Sequence, residues 1–256
     1  MAFDRAGFPE VARKFFEFCN KNITPSGYFN HKYSPDGSIG SSWHALIDDR
    51  GKIQLPIQED ETALVLIALY KHFLKYGDLE FISKVYPKLV LKTSEFLLNH
   101  RDPETGLPKP TFDIWEEKAG VFSSTVSTVI SALESAAGFA KVFYDIERQD
   151  MLTNAATEMK KAMLTKLYDP IAQRFKKAIY STGIDDMTVD SSLSLTFITG
   201  AFSASSEEVK NSMNSVIDKL WIKTNTGGIA RYENDNYYRV AKDLPGNPWF
   251  ICTLWL

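Results

Sequence analysis

Apolar positions along this 256-residue chain recur mostly at helical spacing. Phe8, Val11, Ala12, Phe15 and Cys19 predict a first helix and its buried face. Ala63, Leu64, Ile67, Ala68 and Leu74 mark a second. A third runs over 79–98, with Phe81, Ile82, Val85, Leu89, Phe96 and Leu97 inward. A fourth, near Ser124 to Tyr144, carries Val126, Val129, Ile130, Leu133, Ala137 and Ala140. A fifth, near Met151 to Leu167, carries Leu152, Ala155, Ala156, Met159 and Met163. A further helix spans 205–221, with Ser205 or Ser206 as N-cap and Val209, Met213, Val216, Ile217 and Leu220 as its apolar face. Residues 248–256 read as the first turns of another helix, with Pro248 at N1 and Asn247 as cap. Strand signals are confined to Tyr28–Tyr33, followed by Pro35-Asp36-Gly37, and to Lys52–Leu55. Helices of similar length, joined by turns and long loops, predict an α-hairpin array or α/α barrel. The long loops fall near 24–57, 101–122, 168–190 and 222–248, and their Trp, Tyr, Gly and paired charges predict function rather than disorder. With no linker and no low-complexity segment, 1–256 reads as a single domain.

Composition narrows the function classes. Hydrophobic residues at 44% and charged residues at 24% are ordinary for a soluble globular chain. A net charge of −3 gives no reason to expect nucleic acid or an anionic membrane as partner. Cys19 and Cys252 are too few for a disulfide framework and read as reduced core residues. His31, His44, His72 and His100 lack ligand spacing, and no Cys pair sits near them, so no metal cofactor is expected. No secretory n-region and h-region opens the chain, which predicts a cytoplasmic location.

Four loop segments carry candidate chemistry. In Asp113-Ile114-Trp115-Glu116-Glu117, a carboxyl stands beside an indole and a second carboxylate. Desolvation and like charge both favour the protonated form, which suits a general acid. On pattern alone, a solvated Glu pair opening the next helix is the favoured alternative. In Gly227 to Tyr238, Gly-Gly permits close backbone approach, Arg231 offers a planar fork of donors and Asp235 an acceptor. A salt-bridged turn explains that segment equally well. Gly246-Asn247-Pro248-Trp249 reads as a capped helix start with a core Trp. Gly40-Ser41-Ser42-Trp43-His44, followed by Pro56-Ile57-Gln58-Glu59-Asp60-Glu61, reads mainly as capping at a helix N-terminus.

Taken together these segments resemble glycoside hydrolase family 15, the glucoamylase family. The matching motifs are Pro56-Ile57-Gln58-Glu59-Asp60-Glu61-Thr62-Ala63-Leu64, Asp113-Ile114-Trp115-Glu116-Glu117, Gly228-Ile229-Ala230-Arg231-Tyr232 and Gly246-Asn247-Pro248-Trp249, in the family's order. The resemblance reverses the preference at the Glu pair. It implies an all-α (α/α) toroid of the six-hairpin glycosidase type, here incomplete with fewer than twelve helices. It implies an inverting hydrolase that releases glucose from non-reducing ends of α-glucans. Glu116 would be the general acid. Asp113 and Glu117 would bind substrate, Trp115 would wall the first subsite, and Arg231 and Asp235 would hold hydroxyls of the terminal glucose. Trp43 and Trp249 would line or support the pocket. The partner would be an α-linked gluco-oligosaccharide or trehalose.

The family's catalytic base lies in a Pro-Glu-Gln-like context downstream of Gly-Asn-Pro-Trp, and no such segment occurs before Leu256. Its sugar-gripping Arg-Asp pair is absent as well, since Asp4-Arg5 is reversed and too close to the first helix. A truncated member is therefore expected, impaired roughly 10²–10⁴-fold by the lack of a positioned base. An open toroid would expose apolar surface for a second copy to cover. The alternatives are a trehalose-hydrolysing member, an inactive carbohydrate-binding remnant, or a helical scaffold for protein partners.

Overall fold

The computed structural model describes residues 1–41 and 57–256. Trp43, His44 and the strand candidate at Lys52–Leu55 lie outside the described residues. Helix α1 (Ala2–Arg5) leads into α2 (Pro9–Asn22). Helix α3 (Glu59–Tyr76) stops at Gly77, whose φ of 67° is the left-handed C-cap that glycine adopts without strain. Asp78 then caps α4 (Leu79–Val85) by accepting the Phe81 N–H at 2.9 Å. The helical path continues through a π turn (Tyr86–Val90) into α5 (Leu91–Asn99). Pro87 cannot donate to the ladder, and the wider turn absorbs that gap. Helices α6 (Ser123–Val142) and α7 (Ile146–Lys166) form a hairpin whose second arm Asp145 caps at Arg148 N. A 3₁₀ turn (Ser191–Ser194), α8 (Leu195–Ile198), α9 (Glu207–Leu220) and α10 (Phe250–Leu254) complete the helices.

Helix α6 is the hub: α3, α5, α7 and α8 pack around it. Its small residues make that possible. A Cβ on Gly138 would meet the Tyr70 ring and hydroxyl at 2.3 Å, so glycine lets α3 and α6 approach. The Ser127, Thr128 and Ser135 hydroxyls satisfy themselves on carbonyls four residues back. The successive hairpins make an incomplete (α/α) toroid. Its ten helical segments include three of only four or five residues among the described part.

Several expected details change. On α2 the buried face is Ala12, Phe16 and Cys19, whereas Phe8, Val11 and Phe15 are exposed. The helix has two apolar stripes, and only the one facing His72 on α3 is covered. On α9, Val209, Val216 and Leu220 are buried but Ile217 is exposed. Helix α7 starts at Ile146, earlier than the apolar pattern implied, because Asp145 supplies the cap. Pro248 does not open a helix. It begins strand β8 (Pro248–Trp249), and α10 starts only at Phe250. Asn247, expected as a helix cap, instead donates to the carbonyls of Tyr237 and Tyr238. Tyr28–Tyr33 forms a single bridge, Tyr33 to Ile39. Cys19 and Cys252 are free and buried, as expected.

Short strands decorate one end of the array. β1 (Thr111–Phe112), β2 (Ala119–Phe122), β5 (Ala178–Ile179) and β6 (Asp185–Asp186) pair antiparallel in that order. β3 (Tyr168–Asp169) pairs with β4 (Arg174–Phe175), and β7 (Ile229–Ala230) pairs with β8. A small second core of Val189, Val216, Leu220, Ile222, Ile229, Ala230 and Cys252 lies under this end, with Trp115 and Trp249 packed on it.

Candidate active site

The hairpin loop between β1 and β2 carries the Glu pair, and Asp113 shapes it. Asp113 Oδ1 accepts the N–H of Glu117 at 2.8 Å and of Lys118 at 3.0 Å. Its carbonyl accepts Glu116 N–H at 2.9 Å. These bonds hold Glu116 at φ 60°, a left-handed conformation that an unbranched Glu adopts only under constraint. The Glu pair does not open a helix, because β2 intervenes before α6 begins at Ser123. Asp113 is itself buried, and burial first, then Asp190, raises its pKa against its N–H partners and Lys177. Its Oδ2 has no partner among the described residues.

The two glutamates diverge. Glu117 Oε1 is 3.0 Å from Arg231, and its Oε2 accepts the Tyr232 hydroxyl at 2.5 Å. Its charge is thus met by the guanidinium. Glu116 turns the other way: its Oε2 is 3.3 Å from His31 Nε2. The acids that crowd Glu116 come from the N-terminus of α3. Burial, then Asp60 and Glu116, lift the Glu61 carboxyl to about 8. Burial lifts Asp60 to about 7, with Asp113 and Glu116 contributing. Glu59 is fully buried with both oxygens unpartnered among the described residues, and burial first, then Asp60, holds its pKa well above the usual range.

Arg231 and Asp235 form a buried bidentate pair at 2.7 and 2.8 Å. Asp235 is wholly buried and also accepts Tyr237 N–H, so it anchors Arg231 and does not face a cavity as expected for a hydroxyl acceptor. Four rings surround the guanidinium within 5.4 Å: Trp115, Tyr232, Tyr237 and Trp249. The glycines of the two motifs permit this. A Cβ on Gly228 would meet Pro248 at 2.9 Å, and one on Gly246 would meet Asp235 at 2.9 Å.

A further pair was not anticipated. Lys177 and Asp190 are both buried and 2.9 Å apart. Asp190 accepts the Trp115 indole N–H at 3.0 Å and fixes that ring. Lys177 lies 4.2 Å from the Tyr232 ring centroid. Burial works against the Lys177 charge, but Asp190, joined by Asp113 and Asp186, raises its pKa on balance. Asp4, by contrast, pairs with His72 Nδ1 at 2.7 Å, toward the far end of α3. At 1.5 Å per residue this is roughly 17–20 Å along the helix from Glu59–Glu61. Among the described residues no group of three His, Cys, Asp or Glu side chains could hold a metal ion.

A buried arginine ringed by aromatics thus stands beside a held pair of carboxyls on the loops of an α/α array. The family model of Glycosyl hydrolases family 15 matches residues 50–256, and the chain belongs to that family. It is 28% identical over its whole length to an uncharacterized glycosyl hydrolase of Methanocaldococcus jannaschii, covering 37% of that protein. It is 26% identical over 77% of its length to a probable glucoamylase of Schizosaccharomyces pombe, covering 43% of that protein. The chain thus spans about two-fifths of these curated relatives. In fold it matches a bacterial glucoamylase complexed with acarbose, at a TM-score of 0.75 and 19% identity, covering 98% of this chain and 37% of the other. No described helix is long and apolar enough to cross a membrane.

Proposed function

We propose that residues 1–256 form one unit of a glucoamylase-type catalytic domain and supply the acid side of an inverting glycosidase acting on α-linked glucose. The observation that carries this is the hairpin tip that holds Glu116 at φ 60° against His31 while its neighbour Glu117 meets Arg231. Glu116 protonates the departing glycosidic oxygen, while a base on the opposite face of the sugar activates water. Arg231, aligned by Asp235, and Glu117 bind hydroxyls of the terminal glucose. Trp115, fixed by Asp190, covers its apolar face, and Trp249 packs behind the guanidinium. Trp43 is assigned to the same pocket by motif alone. The apolar stripe on α2 and the exposed face of α10 are proposed as the surface a second copy covers, and the compartment proposed is the cytoplasm.

The test is glucose release from maltooligosaccharides and from trehalose by the protein and its Glu116→Gln variant, with the product anomer read by proton NMR. Release of β-glucose, reduced at least about a hundredfold in the variant, supports the reading. Release from trehalose alone supports the trehalose-hydrolysing alternative. Equal release by both proteins contradicts the acid role, and sugar binding without turnover supports an inert binding remnant.

A further inference from the structure

The imidazole of His31 has no place in the roles above, yet its hydrogen bonding has a fixed direction. The chain of bonds starts at the backbone carbonyl of Asp113, which can only accept. Gln58 Nε2 donates to it at 2.9 Å, and this sets the Gln58 amide with Oε1 toward His31. That oxygen also can only accept, and it stands 2.6 Å from His31 Nδ1. Nδ1 therefore carries a hydrogen. The other ring nitrogen, Nε2, lies 3.3 Å from Glu116 Oε2, on a side chain only 8% exposed. Gln58 is 2% exposed, so neither link is free to turn. The hydrogen bonds run from the Asp113 carbonyl through Gln58 to His31 Nδ1, and Nε2 then makes a close charge contact with Glu116 on the same hairpin.

We propose that His31 is a positioning residue for Glu116, oriented through Gln58 by the Asp113 carbonyl so that Nε2 always meets Oε2. The proposal rests on the glycosidase reading and deepens it. With Nδ1–H committed, the ring has two states. A protonated Nε2 donates to Oε2, leaves the acid proton on Oε1 toward the substrate, and stabilises the carboxylate that remains once that proton departs with the leaving group. A bare Nε2 accepts from Oε2–H and turns the acid proton away from the substrate. Among the described residues, the charged and titratable groups facing the pair are Glu61, whose Oε1 is 3.6 Å from Nδ1, and Asp60, with Asp113 beside Asp60.

Two measurements test this. Two-bond proton–nitrogen NMR correlations of the imidazole in the intact protein are expected to show the neutral ring as the Nδ1–H tautomer. A bare Nδ1 with hydrogen on Nε2 overturns the proposal. This readout needs no turnover, so it separates failure here from failure of the glycosidase reading, which shows as no sugar cleaved with the tautomer as stated. In kinetics, His31→Asn is expected to lower kcat about tenfold to a hundredfold, the usual cost of losing a group that orients another. KM stays within about threefold, and the alkaline limb of the pH–rate profile changes shape. Gln58→Leu is the second variant, for use if His31→Asn does not fold. It should release the tautomer in the NMR and lower kcat in the same sense. Wild-type kcat and pH profile in both variants overturn the proposal.

Discussion

Arg231 shows how a single charge is kept buried: Asp235 takes two of its N–H groups and four rings cover its faces. Asp235→Ala leaves the guanidinium with Glu117 as its remaining carboxylate, and urea denaturation should register a loss of about 1.5–3 kcal/mol. Unchanged stability would show that Asp235 has no such role. The acids at the start of α3 give a pH signature. Asp60 is raised to about 7 and Glu61 to about 8, each chiefly by burial. A carboxyl whose folded pKa lies above its unfolded value adds stability fully present below the unfolded value, lost as pH rises through the folded one. The unfolding temperature should therefore fall between about pH 4 and pH 8, and Asp60→Asn should flatten that fall. A temperature that climbs over this range contradicts the buried, protonated state. The motif segments made Glu116, Glu117 and Arg231 legible in the sequence. His31, Lys177 and Asp190 were not, because their site partners lie far along the chain: Trp115 and Asp190 are 75 positions apart. Local spacing carries no trace of such pairs.

At the level of elements, periodicity located the long helices and miscast the short ones. Helix α7 buries the stripe its sequence shows, α6 is buried on nearly every face as the hub, and on α3 Leu74 is exposed although it recurs with the buried Ala63 and Ile67. Two-residue strands such as β7 and β8 have no period to read, so Pro248-Trp249 passed for a helix start. On α2 the apolar pattern joins Phe8, Val11 and Phe15 to Ala12 and Cys19, whereas the covered stripe is Ala12, Phe16 and Cys19. The contact of α3 with α6 makes a quantitative test. Gly138→Ala gains up to about 1 kcal/mol of helix propensity but drives a methyl into Tyr70, an overpacking cost of about 1–3 kcal/mol. A lower unfolding temperature is expected, partly restored by adding Tyr70→Leu. A higher temperature in the single variant would mean that the helices are not so closely apposed.

Across the whole molecule, the candidate site is assembled at one end of the helical array from six stretches: His31, the start of α3, the β1–β2 hairpin, Lys177 to Asp190, Arg231 to Tyr237, and Trp249. The core beneath that end is small, and most of the buried apolar surface belongs to α2 through α7. Phe8, Val11 and Phe15 on α2, with Phe250 and Leu254 on α10, remain exposed. Hydrophobic-dye binding and concentration-dependent sedimentation are expected, and both should weaken in a Val11→Ser, Phe15→Ser variant. A monomer that binds no dye would show these faces to be inert. On the proposed acid role of Glu116, turnover depends on one proton, and leaving-group chemistry isolates it. Hydrolysis of maltose needs that proton on the departing oxygen, whereas α-glucosyl fluoride departs without it. The decisive measurement is the rate of Glu116→Gln on both substrates relative to the unaltered protein. If Glu116 is the acid, maltose hydrolysis falls at least about a hundredfold while fluoride release is largely retained. Equal losses on the two substrates, or none on either, would contradict it.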